Sequence, residues 1–198
     1  MKDVSRPAHD IKHSKTSLGF WVYLMTDCIL FASLFVTFMV LRNNTAGGVA
    51  GKDIIDLNFV FVETTVLLIS SVASGMALLE AYRGGRGSKR RVLGWLVVTG
   101  LLGAIFLGME VYEFSHLLHE GHSWRVSGFL SAFFGLVGTH GLHITAGLVW
   151  LGVLARYIYS RGLSQRSLQN ITMFSLFWHF LDIVWICIFT IVYLLGVL

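Results

Sequence analysis

Nine ionisable side chains lie within or near the ends of long apolar stretches of this sequence, and their types are those that could do chemistry. Six are acidic and three are histidines: Asp27, Glu63, Glu80, Glu110, Glu113, Asp182, His140, His143 and His179. Burying a charge in hydrocarbon costs several kcal/mol, so such groups are neutral, pair with one another, or face protein and water. Since no Lys or Arg lies within the same stretches, we expect the deepest carboxyl groups, Asp27 and Glu63, to be protonated.

The spacing of the histidines indicates where they can interact. His140 and His143 are three residues apart, as are His179 and Asp182, so each pair lies on one face of a helix. We interpret them as an interhelical cluster held by hydrogen bonds. Two neutral imidazoles on facing helices are also the axial ligand set of a b-type haem. The bulky neighbours and the absence of an intramembrane basic residue for the propionates favour the structural interpretation, and copper or zinc would need a further convergent ligand.

Other polar positions have simpler interpretations. Glu80, Glu110 and Glu113 lie near helix ends and are expected to be partly solvated. Thr64 and Thr65 adjoin Glu63 and are expected to donate hydrogen bonds to it. A spacing of HxxHxxH would place three histidines on one side of a helix that could bind a metal, but we interpret them as solvated loop residues: His116, His119 and His122. A four-residue repeat predicts a close helix contact along one stretch: Ser131, Gly135, Thr139, His143 and Gly147.

Composition identifies the setting of these residues as a membrane. Hydrophobic residues make up 55% of the 198 and charged residues only 13%, with a mean hydropathy of +0.71. The net charge of +4 does not indicate nucleic-acid binding, because all fifteen Lys and Arg lie outside the apolar stretches. Cys28 and Cys187 lie far apart within apolar stretches, so we expect buried thiols rather than redox chemistry or a disulfide.

Five stretches are long enough to cross the bilayer, which takes about 20 apolar residues. They span residues 19–41, 59–82, 92–114, 129–155 and 171–198. Without the alternation typical of a barrel they must be helices, so the sequence predicts an all-α, polytopic five-helix bundle after a polar tail at 1–18. The first stretch is too long and begins too late for a cleaved signal peptide, and we expect it to be retained.

Several motifs carry a resemblance to a known family. The stretches GTHGLH at 138–143, WHFLDIVW at 178–185 and MEVYE at 109–113 are similar to the signature stretches of subunit III of haem–copper oxidases. FVETT at 61–65 carries a helix carboxylate as in that family, and Asp27 stands where the family has an acidic residue. The bo-type ubiquinol oxidase branch is more similar still, through YLMTDCILF at 23–31, NTAGGVAGKDI at 44–54 and SLFWHFLDIVWIC at 175–187. The resemblance runs from about Ser17 to Leu198.

This resemblance implies an accessory role in a respiratory complex of the bacterial inner membrane. Subunit I would hold haem b, haem o and copper, reduce oxygen to water with electrons from ubiquinol, and pump protons. This chain would bind no redox centre, associate with subunits I, II and IV, and hold phospholipid. We interpret its intramembrane polar residues as a structural or proton-related cluster without catalytic, cofactor or metal roles: Asp27, Glu63, Glu110, Glu113, His140, His143, His179 and Asp182.

Two other classes of protein fit parts of the sequence. A haem-bearing membrane anchor would use the histidines within the fourth and fifth stretches. A small proton-coupled transporter would use the intramembrane acids, but the broken helices and paired halves that such transporters have are not evident.

The orientation of the chain is the first testable prediction. The alternate segments 1–18, 83–91 and 156–170 carry twelve Lys and Arg against three in the remaining segments. The positive-inside rule therefore places the N-terminus in the cytoplasm and the C-terminus in the periplasm. A reporter that works only in the cytoplasm should be active when it is fused at Gly87. A reporter that works only in the periplasm should be active when it is fused within 115–128. Periplasmic activity at Gly87 would reverse the orientation.

Overall fold

The fold consists of five long helices, given by a computed structural model that describes residues 8–42, 44, 57–85, 87–119 and 127–194. Within these residues there is no strand. The helices are α1 (Ala8–Leu41), α2 (Leu57–Arg83), α3 (Ser88–His119), α4 (Gly128–Arg161) and α5 (Gln165–Ile188), the last continued by a π-helical turn at Phe189–Leu194. Each contains a stretch long and apolar enough to span a membrane. The predicted five-helix membrane protein is therefore confirmed.

The helices extend beyond the predicted stretches at several ends. Hydropathy marks only the apolar interior of a helix, whereas the ends are set by polar caps. Helix α5 begins at Gln165, six residues before the predicted start, where Ser164 caps it by accepting a hydrogen bond from the Ser167 amide. Gly162, at φ 75°, ends α4. The predicted tail is helical from Ala8 onward, as part of α1.

Four of the helices form a closed ring. Helix α2 packs against α3 and α5, and α4 packs against the same two helices on the other side. Helix α1 lies outside this ring against α4, with a smaller contact to α5. The antiparallel α2 and α3 have the most extensive contact, and the short turn between them contains three glycines with positive φ: Gly84, Gly85 and Gly87.

Two tryptophans of α5 fill the centre of the ring. Trp178 and Trp185 lie two turns apart and are almost fully buried. The indole of Trp178 donates to Ser70 of α2 at 3.1 Å, and that of Trp185 donates to Thr64 of α2 at 3.0 Å. Each tryptophan thus ties α5 to α2 while its ring packs against the other two helices.

The Trp178 ring fits because two facing helices have glycine beside it. A Cβ atom at Gly103 of α3 would lie 2.8 Å from the indole, and one at Gly147 of α4 would lie 2.9 Å from it. Real Cβ contacts are longer than this, so either side chain would force the helices apart. The predicted close contact at Gly147 is confirmed, but Gly135 of the same repeat faces open space.

The expected burial of both cysteines is wrong. Cys28 and Cys187 are exposed on the surface of the isolated chain. In a membrane protein the lipid-facing surface is as apolar as the interior, so an apolar neighbourhood in the sequence does not distinguish the two.

Filling the space beside Trp178 should destabilise the bundle. Gly103→Ala is expected to lower the free energy of unfolding by about 1–3 kcal/mol, since overpacking outweighs the better helix propensity of alanine. Gly108→Ala, on the same helix with nothing within 4 Å of its Cβ position, is the matched control and should leave stability equal or slightly higher. Unfolding midpoints of the purified protein in detergent measure both, and equal shifts would refute the proposed role of the glycine.

Candidate functional site

The intramembrane polar residues are divided among three sites and a lone histidine. The glutamate cluster comprises Glu63, Glu110, Glu113 and Tyr193. The Asp27–His143 pair joins α1 to α4. The His179 cluster comprises Ser71, His179 and Asp182. The lone histidine, His140, is enclosed by aromatic rings. The single polar cluster expected from the sequence is therefore several clusters, each at a different helix contact.

The glutamate cluster is formed by the first part of α2, the second half of α3 and the π-helical turn. Glu63 is completely buried, and it interacts electrostatically with both Glu110 and Glu113. Neither carboxyl oxygen of Glu63 has a hydrogen-bond partner among the described residues, and Oε2 of Glu110 has none. Negative charges on all three glutamates would repel one another in a low dielectric, so the neutral acid forms fit the site better.

The threonines next to Glu63 do not donate to it as predicted. Thr64 donates to the carbonyl of Val60 at 2.8 Å and accepts from Trp185, while Thr65 donates to the carbonyl of Phe61 at 2.8 Å. Sequence neighbours on a helix point about 100° apart, and a buried threonine readily bonds the carbonyl one turn earlier. The prediction that these threonines donate hydrogen bonds to Glu63, which was based on adjacency in the sequence, is therefore wrong.

Glu110 is not partly solvated, and that prediction is wrong. It is 2% exposed. Its carboxyl packs against Gly141 of α4, where an added Cβ atom would lie 2.9 Å from Oε2 of Glu110. Helix α3 continues to His119, so Glu110 is well within the helix and not near its end. Glu80 does reach charged partners, since it pairs with Arg83 and Arg91, each at 3.1 Å.

Tyr193 was missed by sequence reasoning. It lies in the π-helical turn, is fully buried, and donates to Oε2 of Glu113 at 3.0 Å. Such turns often occur at functional sites. The available signal was that a buried tyrosine needs a hydrogen-bond partner, and an acid elsewhere in the sequence could supply it.

His140 is enclosed by aromatic rings. Its ring centroid lies 5.1 Å from that of Trp185 and 5.9 Å from that of Phe106. The residue is completely buried, and neither ring nitrogen has a hydrogen-bond partner among the described residues. This environment favours the neutral imidazole, since a buried charge without a partner is costly.

The Asp27–His143 pair is a polar contact between α1 and α4. Nδ1 of His143 lies 2.8 Å from the carbonyl oxygen of Thr139, which only accepts, so Nδ1 carries a hydrogen. Nε2 faces the Asp27 carboxyl at 3.6 Å. The imidazole thus faces the carboxyl in place of lipid, which lowers the cost of placing the carboxyl in the membrane.

The His179 cluster connects α5 to α2. Nδ1 of His179 lies 3.1 Å from Oγ of Ser71, and Asp182 follows His179 by three residues in α5. The prediction that His179 and Asp182 share a helix face is thus consistent with the structure. The imidazole of His179 is exposed on the surface of the isolated chain, whereas Asp182 is buried.

The histidines are not arranged as ligands of one group. His140 faces Trp185 and Phe106, His143 faces Asp27, and His179 faces Ser71. In the part of the chain that the structure describes, no three His, Cys, Asp or Glu side chains could hold a metal ion together. His116 and His119 are exposed on the last turn of α3, and His122 lies outside the described residues.

Five helices able to span a membrane, with acids and a histidine buried between them, define a multi-pass membrane protein. The model of the cytochrome c oxidase subunit III family matches residues 6–197, and the chain belongs to that family.

Similar proteins include relatives from Pseudomonas and Bacillus. The "Cytochrome bo(3) ubiquinol oxidase subunit 3" of Pseudomonas putida is 57% identical over 92% of this chain and 87% of its own length. The protein of the same name from Pseudomonas aeruginosa is 52% identical over 100% and 96%. The "Quinol oxidase subunit 3" of Bacillus subtilis is 47% identical over 90% and 86%.

Removing His140, which is buried, or His143, which is half-buried, should weaken the bundle. His140→Ala leaves a cavity beside Trp185 and is expected to cost about 2–4 kcal/mol, while His143→Ala leaves the Asp27 carboxyl buried without its partner. Haem content per surviving complex should stay normal, since neither is expected to bind haem. Unfolding midpoints and haem spectra test this, with His119→Ala on the surface as the control. Loss of one haem signal would contradict the structural assignment.

Proposed function

We propose that this chain is subunit III of a proton-pumping ubiquinol oxidase in the bacterial inner membrane. The observation that carries the proposal is the 57% and 52% identity, over nearly whole chains, to proteins named as that subunit. Electrons from ubiquinol would reduce oxygen to water in subunit I, which would hold haem b, haem o and copper. This chain would contribute no redox centre and no catalytic residue, and would stabilise the core subunit alongside subunits II and IV.

The shape of the bundle supports a role in holding phospholipid. A groove of about 550 Å³ lies between the beginning of the α1 span, the end of α2 and the beginning of α5. Apolar side chains such as Phe20 and Leu176 line it together with Trp21, Tyr82 and the amide of Gln165. Aromatic residues of this kind concentrate where acyl chains meet headgroups. An apolar groove that ends in polar groups suits an acyl chain attached to a polar headgroup.

Gentle purification of the tagged chain from its native membrane tests the assignment. Haem b, haem o and copper should accompany it in one complex that oxidises ubiquinol, and phospholipid should remain after a mild detergent wash. Copper with haem but with activity only toward cytochrome c would assign the chain to the other branch of the family. Purification without haem would refute the function, and complete loss of phospholipid would refute the lipid site.

The glutamate cluster is proposed to be structural, with Glu63 as a protonated carboxyl in contact with α3. Complete burial and the two unpaired oxygens of Glu63 support the protonated form. A hydrophobic carbodiimide, which reacts with the protonated acid, should therefore label Glu63 near neutral pH. Glu80, which forms ion pairs with Arg83 and Arg91, is the matched control and should remain unlabelled. Equal labelling of both, or of Glu80 alone, would contradict this difference.

Replacing the proton-carrying group separates a structural role from proton handling. Glu63→Gln keeps the shape and hydrogen-bonding capacity of the side chain but removes the titratable proton. Oxidase activity, protons pumped per electron and stability should remain within about twofold of the parent, as for an isosteric change. A clear fall in pumping while the subunit remains bound would instead assign Glu63 to proton transfer for the neighbouring subunit.

A further inference from the structure

Several buried polar atoms around the indole of Trp185 have no hydrogen-bond partner among the described residues. They are five in number: both carboxyl oxygens of Glu63, Oε2 of Glu110 and both ring nitrogens of His140. Each of these three residues is at most 2% exposed. Buried polar atoms in proteins are almost always paired, either with other protein groups or with ordered water. Five unpaired atoms in one region therefore indicate that the region holds something besides protein.

The contacts of Trp185 bring Glu63 and His140 to the same region. The indole nitrogen donates at 3.0 Å to Thr64, the residue that follows Glu63 in α2. The indole centroid lies 5.1 Å from the ring centroid of His140 in α4. Tyr193 of the π-helical turn has its ring centroid 6.1 Å from that of Trp185. The unpaired carboxyl and the unpaired imidazole are thus linked through one ring.

Glu110 of α3 lies beside the same group of rings. Phe106, one helical turn earlier in α3, has its ring centroid 4.7 Å from that of Trp185. The Glu110 carboxyl packs against Gly141, the residue that follows His140 in α4. Unpaired atoms from α2, α3 and α4 therefore lie together around Trp185, in the interior of the bundle.

The separation of the carboxyl groups suits a bridging molecule. Glu63 interacts electrostatically with Glu110 and Glu113, yet neither of its oxygens lies within hydrogen-bonding distance of a partner among the described residues. Polar groups that are too far apart for a direct bond but still close are commonly joined by water. A water molecule has two hydrogens and two lone pairs, so it can accept from one protonated carboxyl and donate to the next.

The complete burial of Glu63 restricts what the bridging molecule can be. Because the residue is enclosed by this chain alone, neither a lipid nor a side chain of another subunit can reach its oxygens. No three acidic, histidine or cysteine side chains in the described part of the chain could hold a metal ion together. Water is small enough for such a site, and it supplies both donors and acceptors.

We propose that the interior around Trp185 is a water-binding site, in which ordered water bridges the carboxyl groups of Glu63 and Glu110. The water would join α2 to α3 where their acids do not meet directly. This inference goes beyond the function proposed above and does not depend on it, because every group involved belongs to this chain.

Trp178 provides a matched internal comparison. It is as deeply buried as Trp185, and its indole nitrogen also donates to a hydroxyl of α2, that of Ser70, at 3.1 Å. Its ring, however, is packed between Gly103 and Gly147, where even an added Cβ atom would lie within 3 Å of it. Close packing of this kind leaves no space for water beside the ring.

Radiolytic footprinting of the intact complex tests the proposal. X-rays convert water into hydroxyl radicals that react where they form, so a buried side chain is oxidised only if water lies beside it. Trp185 should be oxidised several-fold faster than Trp178, as measured by tandem mass spectrometry of the peptides that contain them. Equal rates would overturn the proposal. Purified material without haem would refute the proposed function instead, and the comparison of the two tryptophans would still apply.

Substitution of Glu63 tests the bridge itself. Glu63→Met replaces the carboxyl group by an apolar group of similar size, so the oxidation rate of Trp185 should fall towards that of Trp178. Glu63→Gln keeps groups that bond water and should retain most of the parent rate. An unchanged rate in an assembled Met variant would overturn the bridge. If immunoblots show that the Met variant does not assemble, the comparison of Trp185 with Trp178 in the parent decides.

Discussion

The packing of the Trp178 indole between two glycines is the interaction on which the rest of the bundle depends. In lipid there is little hydrophobic force between helices, so close packing and hydrogen bonds must hold them together. The glycines at 103 and 147 bring α3 and α4 against the ring, and the hydrogen bond to Ser70 adds α2. Ser70 in turn donates to the carbonyl of Thr99 on α3 at 3.1 Å. One side chain therefore connects all four helices of the ring.

The polar sites lie at helix contacts around this packing of tryptophan and glycine. With Trp185 held by Thr64, His140 is confined beside its ring, and the glutamate cluster occupies the end of the bundle beyond it. Helix α1, outside the ring, has the Asp27–His143 pair as a polar contact to α4. Apart from the exposed imidazole of His179, the polar groups of these sites lie at contacts between helices, where protein replaces lipid. This placement agrees with the high cost of exposing them to hydrocarbon.

Most of the fold could be predicted from the sequence, but less of the site. The number and approximate position of the helices follow from hydropathy, because each must span the same thickness of hydrocarbon. Which face of a helix is buried does not follow, since lipid and protein interior are equally apolar, and this explains the errors at Cys28, Cys187 and Glu110. The pairing of Asp27 with His143 and of Tyr193 with Glu113 depends on the rotation of whole helices, which no local spacing specifies.

Side-chain contacts stabilise the turn between α2 and α3, in addition to the conformational freedom of its glycines. Glu80 binds both Arg83 and Arg91, and the Ser88 hydroxyl donates to the carbonyl of Glu80 at 2.7 Å. The two helices that it joins have the most extensive contact in the bundle, and a short loop costs little entropy to close. This hairpin can therefore form as a unit during biogenesis, before α4 and α5 are synthesised, with Gly103 in place to pack against Trp178 when α5 is added last.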